Sequence, residues 1–165
     1  MGRLLFASGL CLAALAPQTL AAGLALPPDE ACGYLAEAGL PAANEYRPYR
    51  EGKYYCWSLR RDLAAGEPQR HRVRYTAEGA ADAVSTLLLE LQVVSASELQ
   101  RALRLFLDYA QPLVRAATGQ DLPEDVSKAV TSVRPGRWQA GTADLVLEKA
   151  NVRGAMSYDL RFRVE

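Results

Sequence analysis

The chain has 165 residues with 19 basic and 19 acidic side chains, one histidine and three cysteines, and half of its residues are apolar. That length fits one domain, the apolar half is enough for a core, and a charged fraction of 23% is ordinary for a soluble globule, which excludes disorder and fibrous repeats. A formal net charge of zero excludes a general nucleic-acid binder, whose affinity comes from a basic excess against phosphate, so any charged partner must meet a local patch.

Residues 1–22 read as a secretory signal peptide: Arg3 is their only charge, an apolar run follows from Leu4 to Ala16, and small residues close the segment. The run is shorter than the roughly 20 residues a membrane helix needs. Thr19 and Ala21 occupy the small positions for cleavage after Ala21, with Ala22 the adjacent choice, whereas a cut after Ala16 puts Pro17 on the scissile bond. An uncleaved N-terminal anchor is the competing reading. A lipid anchor fits poorly, because neither Cys11 nor Cys32 stands in a small-residue lipoprotein box. The expected location is periplasmic or secreted, and residues 23–165 are expected to form a single domain with no transmembrane segment.

Cys11 lies in the leader, which leaves Cys32 and Cys56 as an even pair in an exported chain, where disulfides persist. Their spacing is not C-x-x-C, and a single histidine cannot complete a zinc site, so a structural bridge is expected rather than a redox pair or a metal. It would tie the first helix to the first strand.

Pro27-Pro28-Asp29-Glu30 opens a helix, with proline early and acids in the first turn, and Gly39-Leu40 closes it, predicting a short helix from Pro28 to Ala38. Pro41 to Gly52 has no period and reads as a loop. Lys53 to Leu59 alternates, Tyr55, Trp57 and Leu59 against Tyr54, Cys56 and Ser58, which predicts a strand. Gly66-Glu67-Pro68 breaks the chain. Arg70 to Tyr75 alternates again, with Arg70, Arg72 and Arg74 on one side and His71, Val73 and Tyr75 on the other.

Gly79 lies in the turn before Ala83 to Val94, where Leu87, Leu89, Leu91 and Val93 share one face, and Thr86, Leu88, Glu90 and Gln92 the other, so the two strands are expected to pair as an antiparallel hairpin. Ser95 and Glu98 have the spacing of a capping box, ahead of Leu99, Ala102, Leu103, Phe106, Ala110, Leu113, Val114 and Ala117 at helical spacing. This long helix is expected to end at Gly119 and to bend near Asp108 because of Pro112. Leu122-Pro123-Glu124-Asp125 starts a second short helix with Val126, Ala129 and Val130 inward, stopped by Arg134-Pro135-Gly136. Strand periodicity returns between Trp138 and Asn151 and again from Met156 to Val164. The pattern is that of an α+β protein: a two-layer sandwich in which a twisted antiparallel sheet of five to six strands carries one long helix and two short ones.

No catalytic or cofactor motif stands out: no G-x-S-x-G elbow, P-loop, G-x-G-x-x-G or metal-ligand cluster, and Glu124-Asp125 is explained by the helix dipole. His71 points with Val73 and Tyr75, which implies burial rather than proton shuttling. No enzyme activity, cofactor, metal or nucleic-acid partner is therefore expected. Two surfaces remain. Arg70, Arg72 and Arg74 with Arg161 and Arg163 would attract an anion if their stripes share a face, unless Glu90, Glu148 and Asp159 pair with them across strands. Tyr46, Tyr49 and Trp57, with Tyr54, Tyr55, Arg47 and Arg50 nearby, carry the Tyr/Trp/Arg mixture of protein interfaces, though some of these rings belong to a core.

The stretch Cys32-x-x-Leu35-x-x-x-Gly39-Leu40, followed by Tyr55-Cys56-Trp57-Ser58 and later by Thr118-Gly119 and Leu122-Pro123, resembles a family of small exported bacterial proteins classed only as a domain of unknown function. That resemblance covers most of the mature chain and implies no activity. The order of elements is also similar to that of small α+β secretion chaperones, which implies protein binding; those are cytoplasmic and acidic, and this chain is neither. The functional expectation is an exported protein-binding module of the bacterial envelope, an inhibitor, immunity factor or assembly accessory. The alternative is a carrier of an anionic small molecule or glycan on an arginine-lined sheet face.

Overall fold

The computed structural model describes residues 23–63, 70–151 and 157–165; the predicted signal segment, the Gly66-Glu67-Pro68 break and residues 152–156 lie outside them. In chain order the elements are α1 (Pro28–Gly33), β1 (Arg47–Arg50), β2 (Lys53–Trp57), β3 (Arg61–Leu63), β4 (His71–Gly79), β5 (Val84–Val93), α2 (Leu99–Thr118), α3 (Glu124–Thr131), β6 (Gly136–Ala140), β7 (Ala143–Asn151) and β8 (Tyr158–Val164).

The α1 helix is shorter than its sequence suggests. Regular turns stop at Gly33, and the chain tightens through Ala36 N–H to Gly33 O and Gly39 N–H to Ala36 O, three residues back rather than four. A glycine inside so short a segment weakens it. The stop signal itself is where the sequence puts it: Gly39 takes φ +89°, and Leu40 N–H returns to Leu35 O, burying Leu40.

All strands pair antiparallel into one sheet of order β1-β2-β4-β5-β8-β7-β6, with β3 beside the first half of β4. Among the described residues eight strands form where five to six were expected. The excess lies in β1, β3 and β6, of four, three and five residues, too few for an alternating pattern to register. The predicted loop from Pro41 to Gly52 contains β1, which accepts Pro48 because it is an edge strand with a missing donor to spare.

Period two then sorts side chains between faces. On one face Val73, Tyr75, Leu87, Leu89, Leu91, Leu160 and Phe162 are buried with Ala102, Leu103, Phe106, Ala110, Leu113 and Val114 of α2 in a single core cluster. Val126, Ala129 and Val130 bring α3 into the same layer. Glu98 rather than Ser95 is the N-cap of α2, with φ +57° and no side-chain cap bond, so the predicted capping box does not form. Pro112 sits inside an uninterrupted α2, and Gly119 ends it at φ +71° as expected. Among the described residues no helix is long and apolar enough to cross a membrane.

The Cys32–Cys56 bridge joins α1 to β2, as predicted. Its partners are 24 residues apart, a loop whose closure is worth about 3 kcal/mol in the chain-entropy account. The double variant Cys32→Ala/Cys56→Ala should unfold at lower urea with stability reduced by about that amount. Reductant should lower the midpoint of the parent and leave the variant unmoved.

Candidate functional site: the helix-free sheet face

Among the described residues the opposite face carries no helix, and antiparallel register lays its side chains out in rows. One row runs Arg74, Glu90, Arg161, Glu148 across β4, β5, β8 and β7. The charges alternate along it. The neighbouring row runs Trp57, Thr76, Leu88, Arg163, Val146, Arg137, and beyond it Tyr55 stands opposite Glu78.

Glu90 is the centre of the charged part. It is only 5% exposed, and its carboxylate accepts from Arg60 at 2.9 Å, Arg74 at 3.3 Å and Arg161 at 3.2 Å. Arg161 also reaches Asp159 at 3.5 Å, and Arg163 binds Glu148 at 2.7 Å. Asp62 holds both Arg70 at 3.0 Å and Arg72 at 3.3 Å. The two stripes of arginine therefore do share a face, and each member is engaged by a carboxylate. A ligand anion would have to displace those carboxylates.

Burial pushes the Asp159 carboxyl up from its ordinary range and the nearby Glu90 charge adds to the shift, while Arg161, Arg60 and Arg74 pull it back only in part.

The aromatic residues divide. Tyr46 packs against the core, stacks on Tyr54 at 5.8 Å between centroids, and donates its hydroxyl to Ala80 O at 2.9 Å. It is a strut between the β1 side and the β4–β5 turn rather than part of the open surface. Tyr49 and Tyr55 meet edge to face at 4.5 Å and, with Trp57, Arg74, Thr76, Glu78 and Leu88, line a hollow of about 360 Å³. Tyr49 is 40% exposed, and the Arg50 guanidinium lies 5.5 Å from its ring centre. So the hollow takes Tyr49, Trp57 and Arg74 from the residues singled out in the sequence, and leaves Tyr46, Arg70, Arg72, Arg161 and Arg163 outside.

Tyr55 was named only as a neighbour of the aromatic cluster, and Thr76, Glu78 and Leu88 were not singled out as site residues. Cys56 holds the signal that finds Tyr55: a side chain bonded to α1 must face the helices, which turns its neighbours Tyr55 and Trp57 the other way. Leu88 is betrayed by being apolar in an otherwise polar register. A second, more apolar groove of about 550 Å³ lies past the end of β2, between Pro41–Ala43 and Leu59, which is 68% exposed.

His71 is 1% exposed, with Nε2 donating to Ser97 O at 2.8 Å and Nδ1 accepting from Val94 N–H at 3.4 Å. Both ring nitrogens are spent on the backbone. Among the described residues no group of three or more His, Cys, Asp or Glu side chains is placed to hold a metal. No protein-family model, curated protein or solved structure matches the chain.

Two consequences of the charge cluster are measurable. Glu90→Gln strips the shared carboxylate from three half-exposed guanidinium groups and should cost about 2 kcal/mol, read as a lower denaturant midpoint at unchanged slope. For Asp159, a raised folded pKa means that ionisation is penalised in the folded state, so the penalty is present at neutral pH and vanishes as pH falls below its titration. Asp159→Asn should raise the melting temperature at pH 7 by more than at pH 3.

Proposed function

We propose that this chain is a non-catalytic binding module of the bacterial envelope that recognises another protein through the aromatic end of its helix-free sheet face. The observation that carries the reading is the hollow itself: two tyrosines, a tryptophan, a leucine and an arginine gathered on an uncovered face, a composition typical of interface anchors. Leu59, exposed beside the adjoining groove, extends the apolar contact area. Export is supported by the leader-like residues 1–22 and by a disulfide, a bond that persists mainly in oxidising compartments. A binding role rather than an enzymatic one is supported by the burial and double hydrogen bonding of His71.

The carrier of an anionic small molecule or glycan gains no support from the geometry, since the arginines it relies on are already paired.

A photo-crosslinking amino acid placed at Tyr49 should give discrete protein adducts in the envelope of the source cells, and the same group at Arg104 on the helix layer should not. Equal labelling from both positions, or none from Tyr49, overturns the reading.

A further inference from the structure

Among the described residues the sheet order ends on β1 at one side and on β6 at the other, and the two margins are built differently. β1 is blunted: Pro48 withholds a donor, Arg47 and Arg50 flank it with like charge, and the register breaks between Pro48 and Arg50. The three-residue β3 is too short to offer a ladder, and its Arg61 guanidinium is tied to Ala38 O and Gly39 O. β6, running from Gly136 to Ala140, has no such guard. It holds no proline and pairs with β7 without a register shift. Its single charge, Arg137, is taken up on the same chain by Asp144 at 3.0 Å and Glu165 at 3.7 Å.

The turn beside β6 determines which backbone groups its margin offers. Ala140 and Ala143 flank the two-residue turn Gly141-Thr142, and the pair flanking such a turn exchanges both of its backbone hydrogen bonds. Since bonded and non-bonded pairs alternate along an antiparallel ladder, Trp138 and Gly136 also bond to β7, whereas Arg137 and Gln139 aim N–H and C=O away from it. Nothing among the described residues meets those four groups.

Two outward residues placed evenly about Trp138 suit a second β6, antiparallel to the first across a two-fold axis at that residue. In this register Arg137 of each copy exchanges both backbone bonds with Gln139 of the other, Trp138 faces Trp138, and Gly136 faces Ala140. Centring the axis on Arg137 would set two guanidinium groups opposite one another, and centring it on Gln139 would leave Arg137 facing the turn at Gly141. Side chains agree with the first choice. Gln139 spends its amide nitrogen on Asp144 Oδ1 at 3.4 Å, which leaves the amide oxygen to accept from Arg137 of the second copy. On the helix side the Trp138 ring lies over Gly136, where a Cβ would come within 2.5 Å of it, so it follows the strand instead of blocking the margin. Pairing completes the burial of a ring that a single chain leaves half-buried.

We infer that two copies of this chain associate through β6, each sheet continuing into the other across a two-fold axis at Trp138. β6 lies at the opposite end of the sheet order from Tyr49 and the hollow, so copy pairing and partner recognition succeed or fail separately.

Sedimentation velocity of the purified protein should reach the mass of a dimer, and no larger, as concentration rises. Over the same range amide exchange should slow at Arg137 and Gln139 and not at Tyr49 on the other margin. Gln139→Pro removes an outward donor and no bond to β7, so it should abolish the dimer while the monomer keeps its circular dichroism spectrum. Gln139→Arg sets two arginines opposite each other in both pairs and should weaken the dimer about tenfold; it decides the matter should the proline variant fold poorly. A chain that stays monomeric, a dimer that neither variant weakens, or growth beyond two copies overturns the inference.

Discussion

An eight-stranded sheet has two faces, and α2 and α3 cover only one of them. What happens on the other is settled around Glu90. An uncovered sheet of this width made of apolar residues would bind to anything similar, and one lined with like charges would repel itself apart. The alternation Arg74, Glu90, Arg161, Glu148 avoids both outcomes, because each long arginine lays its methylene stem over the layer beneath and spends its charge on a neighbour. Glu90 tolerates its burial because three guanidinium groups share it.

That pairing also divides the face by function. Arginines bound to carboxylates are poor at attracting an outside anion, so the stripe that looks most like a site in the sequence becomes a solubilising coat. The aromatic side chains lie next to it, at the β1–β2 end, where Tyr49 is exposed and Tyr55 and Trp57 are half-buried around the hollow. The disulfide connects the two features, since fixing Cys56 toward α1 obliges Trp57 to stand on the open side. A link that reads as scaffolding thus also orients the candidate site.

Much of this was legible beforehand, and the exceptions have physical reasons. The α2 helix is announced by a long apolar stripe whose positions are the ones found buried, and the β4–β5 pairing by alternation over nine and ten residues. The Glu90, Glu148 and Asp159 partners of the arginines followed from strand periodicity alone. By contrast β1 and β3 gain their form from the strands they lie against, and nothing in Arg47–Arg50 or Arg61–Leu63 reveals it locally. The Ser95–Glu98 spacing matched a capping box, yet the chain turns through a left-handed Glu98 and starts the helix one residue later. Tyr46 carried the same composition signal as Tyr49. Only the fold distinguishes them, because one reaches Ala80 O and the other faces out.

The sheet is also two meanders joined at a seam. From β1 to β5 each strand pairs with near neighbours in the chain, as do β6, β7 and β8, while Leu87 to Val93 of β5 meet Tyr158 to Val164 of β8 across the whole helical excursion. Each half can organise quickly from local contacts, but closing the seam requires bringing together segments some seventy residues apart. Until it closes, β5 and β8 each present a row of unpaired backbone N–H and C=O groups able to pair with a foreign strand. The interval before closure is when the polypeptide is most exposed to aggregation, and its fate during biogenesis is decided along that line.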